Sequence, residues 1–347
     1  MNEKKYTLED ALNNRKSNNL SIMKLIAAIL VIVSHSYTLT GSSQSDVLKT
    51  LTNNQESLGG LAVAVFFFSS GLLISRSIQK NYSFKGFFKA RVKRIIPSLC
   101  IVIVFCTFVM GPILTTLPLF SYITNVQTWK YLLNIVLIPI HSLPGVFINA
   151  PYGSVVNGSL WTLPVEFCCY IIVFGLFHTK FLDKKRILLL SPLALLAFVL
   201  CNFTTIPLFV SLRNYIQPVL IYYVGVLAYV YRDCISIKNW YGILALILII
   251  LCFALGIGKL GMILFAPVLF IVVGFSKKQV SSRIGELGKY SYAIYLVAFP
   301  IQQCLVYIFA NQMSPLVNSI LSILVSFVFA KILLKTESVI FERREKI

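Results

Sequence analysis

The chain has 347 residues, 57% of them hydrophobic and only 12% charged, and its mean hydropathy is +0.82. Soluble domains carry roughly a quarter charged residues, so this composition excludes an ordinary water-soluble protein and puts most of the chain in a lipid bilayer. The formal net charge of +19 would suggest a nucleic acid partner for a soluble chain, but the basic residues gather at alternate ends of apolar runs and no such partner is expected.

A hydrocarbon core takes about 20 mostly apolar residues per helical crossing. Runs of that kind lie at approximately 20–40, 57–76, 95–117, 159–178, 187–203, 215–231, 239–256, 261–276, 290–310 and 315–335. The expected fold is all-α, a polytopic bundle of about ten transmembrane helices over 20–335, between an N-terminal segment (1–19) and a C-terminal tail (336–347). Lys4, Lys5, Arg15 and Lys16 precede the first run, no small-residue cleavage site is evident, and the run reads as a retained span and not a signal peptide. Ten crossings put both termini on one side. With that side cytoplasmic, 27 of the 31 Lys and Arg lie on it, leaving Lys49, Lys130, Arg213 and Lys259 outside, as the positive-inside rule requires.

The first span, SIMKLIAAILVIVSHSYTLTG, separates Lys24 from His35 by eleven residues. On a helix that is three turns plus about 20°, with roughly 16 Å of rise, so the two share a face at different depths. Ionisable groups within a span are costly and usually face a bundle interior or a cavity. Each has a plainer reading: His35 as an interhelical hydrogen bond, Lys24 as a snorkelling interfacial lysine. The second span carries FFFSSGLLISRS, in which Ser69, Ser70 and Gly71 permit close approach of a helix or of a ligand. The basic stretch KNYSFKGFFKARVKR follows, with Pro97 opening the next span's core. Its Arg91 and Arg94 lie three apart and share a helical face. Their guanidinium forks suit phosphate, and interface anchoring is the alternative.

The segment 118–158 is apolar but broken by Pro139, Pro144 and the polar His141, and counting it as a crossing would invert every later loop. It reads as an outer-face, partly inserted element. Irregular backbone at membrane depth needs protein or a water-filled cavity to satisfy it, so this piece is expected to line something. NGSLWTLPVEFCCYII then places Glu166 near the outer end of an apolar helix, where it should meet a basic partner, water or a sugar hydroxyl. Trp161 fits a membrane-interface belt as well as a stacking surface for sugar. His141 is expected to make a local hydrogen bond, and Arg213 to be a solvated loop charge, with Glu166 or an anionic glycan as its alternative partner. The eight cysteines, including adjacent Cys168 and Cys169, show neither a disulfide framework nor a metal spacing, and no metal is expected.

The first-span basic residue and histidine, the FFFSSGLLIS segment, the Arg91 and Arg94 pair, SLWTLPVEF, and LGKYSYAIYLVAFP at 287–300 occur together in one order. In these the chain resembles the acyltransferase 3 family of membrane O-acyltransferases over roughly 20–335, and more narrowly its bacterial exopolysaccharide, capsule and O-antigen acetyltransferases. The resemblance implies a ten-helix domain that takes acetyl groups from cytoplasmic acetyl-CoA and delivers them across the cell membrane to a glycan or lipid-linked oligosaccharide. It also implies that Lys24, Arg91 and Arg94 serve the CoA, that His35 and Glu166 are catalytic, and that Trp161 and Ser70 meet the acceptor. Lysine stands at 24 where arginine is common, and Ala298 stands where such chains often carry a histidine, which removes a catalytic duty from that position. With no fused extracellular esterase-like domain, direct transfer is expected. His35 would act as a general base or as a covalent acetyl carrier. A transporter or flippase of a lipid-linked glycan is the alternative from another class, and a membrane scaffold a third.

Overall fold

The structure is a computed structural model that describes residues 6–14, 18–79 and 83–342, so Lys4, Lys5, Arg15, Lys16 and Lys80 lie outside the described residues. Among these residues there is no strand, only isolated bridges. The main helices are α1 (Asn18–Leu39), α2 (Leu58–Ile78), α3 (Phe84–Phe105), α4 (Thr162–His178), α5 (Ser191–Phe203), α6 (Pro207–Val230), α7 (Asn239–Ala254), α8 (Gly258–Gly274), α9 (Ser291–Ile308) and α10 (Pro315–Glu337).

A helix lies under every expected span, but they are not ten equal crossings. Six stretches among the described residues are long and apolar enough to cross a membrane alone: Asn18–Leu39, Leu58–Ile78, Phe84–Leu114, Gly158–His178, Ser282–Ile308 and Pro315–Phe341. Helices α5 and α6 pass only as a pair, bent by 118° at residues 204–206. The 16 residues of α7 and 17 of α8 rise only about 24–26 Å, short of a hydrocarbon core of about 30 Å. The third helix also starts earlier than the apolar run at 95, because Ser83 caps it by accepting from Gly86 N. Pro97, at the start of the apolar run, therefore lies inside α3.

The chain divides into two compact units: Met1–Ala27, Leu48–Tyr82 and Val165–Gly288 form the first, and Ala28–Val47, Ser83–Pro164 and Lys289–Ile347 the second. In the first, α2 and α6 pack almost backbone to backbone. A Cβ on Gly71 would sit 2.2 Å from Tyr222 O, and one on Gly225 would sit 2.4 Å from Phe68 O, so small residues on both helices set this approach. Close approach is thus the reading that holds for Gly71.

In the second unit α3 runs into a π-turn, Cys106–Met110, and then Gly111–Leu114. The Gly111 amide bonds Cys106 O, and in that register the donor for Thr107 O would belong to Pro112, which has none. Tyr122 Oη donates to Thr107 O instead, at 2.8 Å. Gly111 makes room for it, since a Cβ there would lie 2.0 Å from Tyr122 Oη. The segment 118–158 holds short helical turns (Leu119–Thr124, Val126–Lys130, Tyr131–Val136) and otherwise irregular backbone. Side chains satisfy that backbone: Asn134 Nδ2 donates to Ile140 O, Thr115 Oγ1 to Pro144 O, Asn311 Nδ2 to Asn149 O, and Gln303 Nε2 to Val155 O.

Candidate active site

The continuous helix α1 carries Lys24 and His35, both half-buried, with Lys24 in the first unit and His35 in the second. The His35 ring stands edge-on to Phe299 of α9, centroids 5.2 Å apart at 75°. Its Nδ1 is buried without a hydrogen-bond partner among the described residues. Phe299 also closes over Gly158, where a Cβ would lie 2.7 Å from the ring, and meets Tyr152 of the irregular segment at 6.1 Å.

Three segments singled out in the sequence therefore converge in the second unit: the C-terminal half of α1, NGSLW, and SYAIYLVAFP. Hydrogen bonds fix the last two to each other. Buried Asn157 donates through Nδ2 to Leu296 O at 2.9 Å and caps the turn Gly158–Trp161 through Oδ1 to Ser159 N. Tyr295 Oη donates to Ser159 O at 2.7 Å and shares a 2.7 Å hydrogen bond with Thr162 Oγ1. Trp161 ends this turn half-buried. Sequence reasoning passed over Asn157, Tyr152 and Phe299; an asparagine immediately before a helical turn is a cap signal that was available.

The second cluster belongs to the first unit. Glu166 Oε1 accepts from Ser70 Oγ at 2.6 Å and from Tyr170 Oη at 2.5 Å. Two residues expected separately, Ser70 and Glu166, are thus joined, and Tyr170, one turn after Glu166 on α4, completes the group. Among the described residues the partners of this carboxylate are hydroxyls and not a basic side chain, and a carboxylate inside an apolar helix is offset by charge-assisted hydrogen bonds of this kind. Trp161 falls in the second unit and Glu166 in the first.

Arg91 and Arg94 both lie on α3 in the second unit, but they do not present alike: Arg91 is 9% exposed, with its guanidinium carbon 5.5 Å from the Phe87 ring centroid, whereas Arg94 is exposed. Two further expectations change. Arg213 is not a solvated loop charge. It lies on α6, donating from Nε to Cys201 O at 2.9 Å and from Nη2 to Thr204 O at 3.4 Å, and so holds the carbonyl end of α5. His141 Nδ1 lies 3.4 Å from Asn157 O, a local contact as expected.

These residues sit within a matched domain. The chain matches the model of the acyltransferase 3 family, described as an acyltransferase domain, over residues 17–334. The chain belongs to that family. The acyltransferase 3 match takes in α1 to α9 and nearly all of α10, so both clusters lie inside it. A relative from Shigella phage Sf6, named as an O-acetyl transferase, is 30% identical over 301 residues, covering 84% of this chain and 86% of its own. No solved structure matches. With its long apolar helices, this acyltransferase is a multi-pass membrane protein.

Proposed function

We propose that this acyltransferase is a membrane O-acetyltransferase that takes acetyl from cytoplasmic acetyl-CoA and places it on a hydroxyl of a cell-surface or lipid-linked glycan. The observation that carries the reading is the likeness, over 84% of the chain, to a protein named as an O-acetyl transferase. The protein would lie in the bacterial cytoplasmic membrane with both termini in the cytoplasm and ten crossings, α5, α6, α7 and α8 each reaching across with help from loops. The charge distribution supports that orientation.

In this reading the CoA phosphates meet Arg91 and Arg94, with Lys24 serving the donor from α1, and the thioester reaches His35. The acceptor O–H attacks the thioester carbonyl while neutral His35 takes its proton. The C–S bond breaks, the imidazolium returns the proton to the thiolate, and the products are the acetyl ester and free CoA. Glu166, held by Ser70 and Tyr170, positions the sugar, and Trp161 offers it a stacking face. The test is to incubate membranes with acetyl-labelled acetyl-CoA and acceptor glycan. His35→Ala should abolish transfer of label without reducing membrane-inserted protein; retained transfer removes His35 from the mechanism, and glycan movement without any label transfer points to a flippase.

A further inference from the structure

Gln302 is fully buried on α9, one turn after Phe299, within the second unit. Its Nε2 donates at 2.8 Å to Ile32 O and at 2.8 Å to Ser36 Oγ. Those two residues bracket His35 on a single turn of α1. Asn318 pins the carboxamide further: its Oδ1 accepts from Gln302 Nε2 at 3.2 Å and from Ser36 Oγ at 2.9 Å, and its Nδ2 donates to the main-chain carbonyl of Gln302 at 3.2 Å. Nε2 is committed to the His35 turn, and Oε1 lies one carboxamide's width from Nε2 in the same planar amide. It is buried and has no hydrogen-bond partner among the described residues. His35 Nδ1 shares that condition. A donor-capable imidazole nitrogen and an acceptor oxygen, both buried and both unmatched beside one helical turn, are the two ends that an internal water joins.

We infer that Gln302 is a positioning residue for His35: one bound water accepts from His35 Nδ1–H and donates to Gln302 Oε1, fixing the imidazole as its Nδ1–H tautomer. The hydrogen bond made by one ring nitrogen sets the role of the other, so Nε2 carries the lone pair. In the proposed reaction, on which this consequence rests, Nε2 is then the atom that takes the acceptor's proton. Gln303, its neighbour, is also fully buried with an Oε1 that has no partner among the described residues, but its Nε2 goes to Gly153 O and Val155 O of the irregular segment and not to the His35 turn. It is the natural control.

The chain has three histidines, so 15N-histidine NMR of the full protein in detergent or nanodiscs gives three imidazoles to assign, and His141→Gln and His178→Gln identify the other two. Wild type should show His35 with a protonated, pyrrole-like Nδ1 and a pyridine-like Nε2. Gln302→Met keeps the length of the side chain without the acceptor, and should move His35 to the Nε2–H form or to an average of the two. Gln302→Glu restores an acceptor and should restore the protonated Nδ1, and Gln303→Met should leave the wild-type pattern. An Nε2–H tautomer in wild type overturns the inference even if every variant fails to fold, as does an unchanged spectrum in folded Gln302→Met. The spectrum is independent of acyl transfer, so a protein without acetylation activity would sink the proposed function and leave the tautomer result standing. With activity present, Gln302→Met should lower kcat about tenfold at unchanged KM for acetyl-CoA, the size of one lost hydrogen bond.

Discussion

Replacing Tyr170 with phenylalanine removes one hydroxyl from Glu166 and leaves the ring in its place. Tyr170 is 1% exposed and its ring lies 6.1 Å from that of Phe167, contacts that phenylalanine keeps. What is lost is the 2.5 Å bond to Glu166 Oε1. Hydrogen bonds to a charged group are worth about 1.5–3 kcal/mol, and the Ser70 bond to the same oxygen, at 2.6 Å, remains to hold part of the geometry. If the carboxylate must be aimed for transfer, Tyr170→Phe should lower kcat/KM by about tenfold to a hundredfold, each tenfold being about 1.4 kcal/mol. Ser70→Ala should do the same. The double variant should fall below either single one but by less than the product of their effects, because both hydroxyls act on one oxygen and residues in one network are not additive. The assay is the initial rate of label transfer from acetyl-CoA to glycan, normalised to membrane-inserted protein, with a detergent melt to separate aim from stability. Wild-type kcat/KM in the double variant, with the carboxylate thus stripped of both hydroxyls, would refute a working role for Glu166.

Gly71→Ala should destabilise the first unit by about 1–3 kcal/mol as overpacking, since its methyl meets Tyr222 O at 2.2 Å. Gly175→Ala in α4 has nothing within 4 Å and should raise stability by up to about 1 kcal/mol through helix propensity; melts in one detergent compare the two, and equal shifts would dismiss the packing argument. Arg213→Ala should lower the melting temperature by uncapping α5, and Arg213→Lys should not restore it, because Cys201 O and Thr204 O are taken by separate nitrogens of the guanidinium fork.

The sequence makes the helices legible because bilayer thickness leaves one long signal, some 20 apolar residues, that needs no knowledge of neighbours. It is silent on bends. Nothing in the runs around 187–203 and 215–231 announces a 118° turn between α5 and α6, and the arginine that secures it looks like a loop charge until Cys201 O is found opposite. The same limit governs the sites. Helical spacing predicts Glu166 beside Tyr170, four residues apart, but Ser70 arrives from 96 residues away. Spacing also gives Arg91 and Arg94 one face without saying what stands across from each, and only Arg91 finds the Phe87 ring and burial.

Ala298 shows what a departure from a motif costs in chemistry. It is 2% exposed and precedes Phe299, whose ring meets His35 edge-on, so the position is buried in the bundle. A methyl there holds no proton. The nearest polar side chains further along α9, Gln302 and Gln303, are carboxamides, which donate and accept hydrogen bonds but do not act as bases near neutral pH. The neighbour Tyr295 has its hydroxyl committed to Ser159 O. Of these three polar side chains only Gln302 reaches the turn that carries His35, and none of the three replaces an imidazole as a base near neutral pH. In the proposed reaction the base is therefore sought off α9, on the facing turn of α1 where His35 stands, and α9 supplies the ring of Phe299 and the amide of Gln302 that hold that turn.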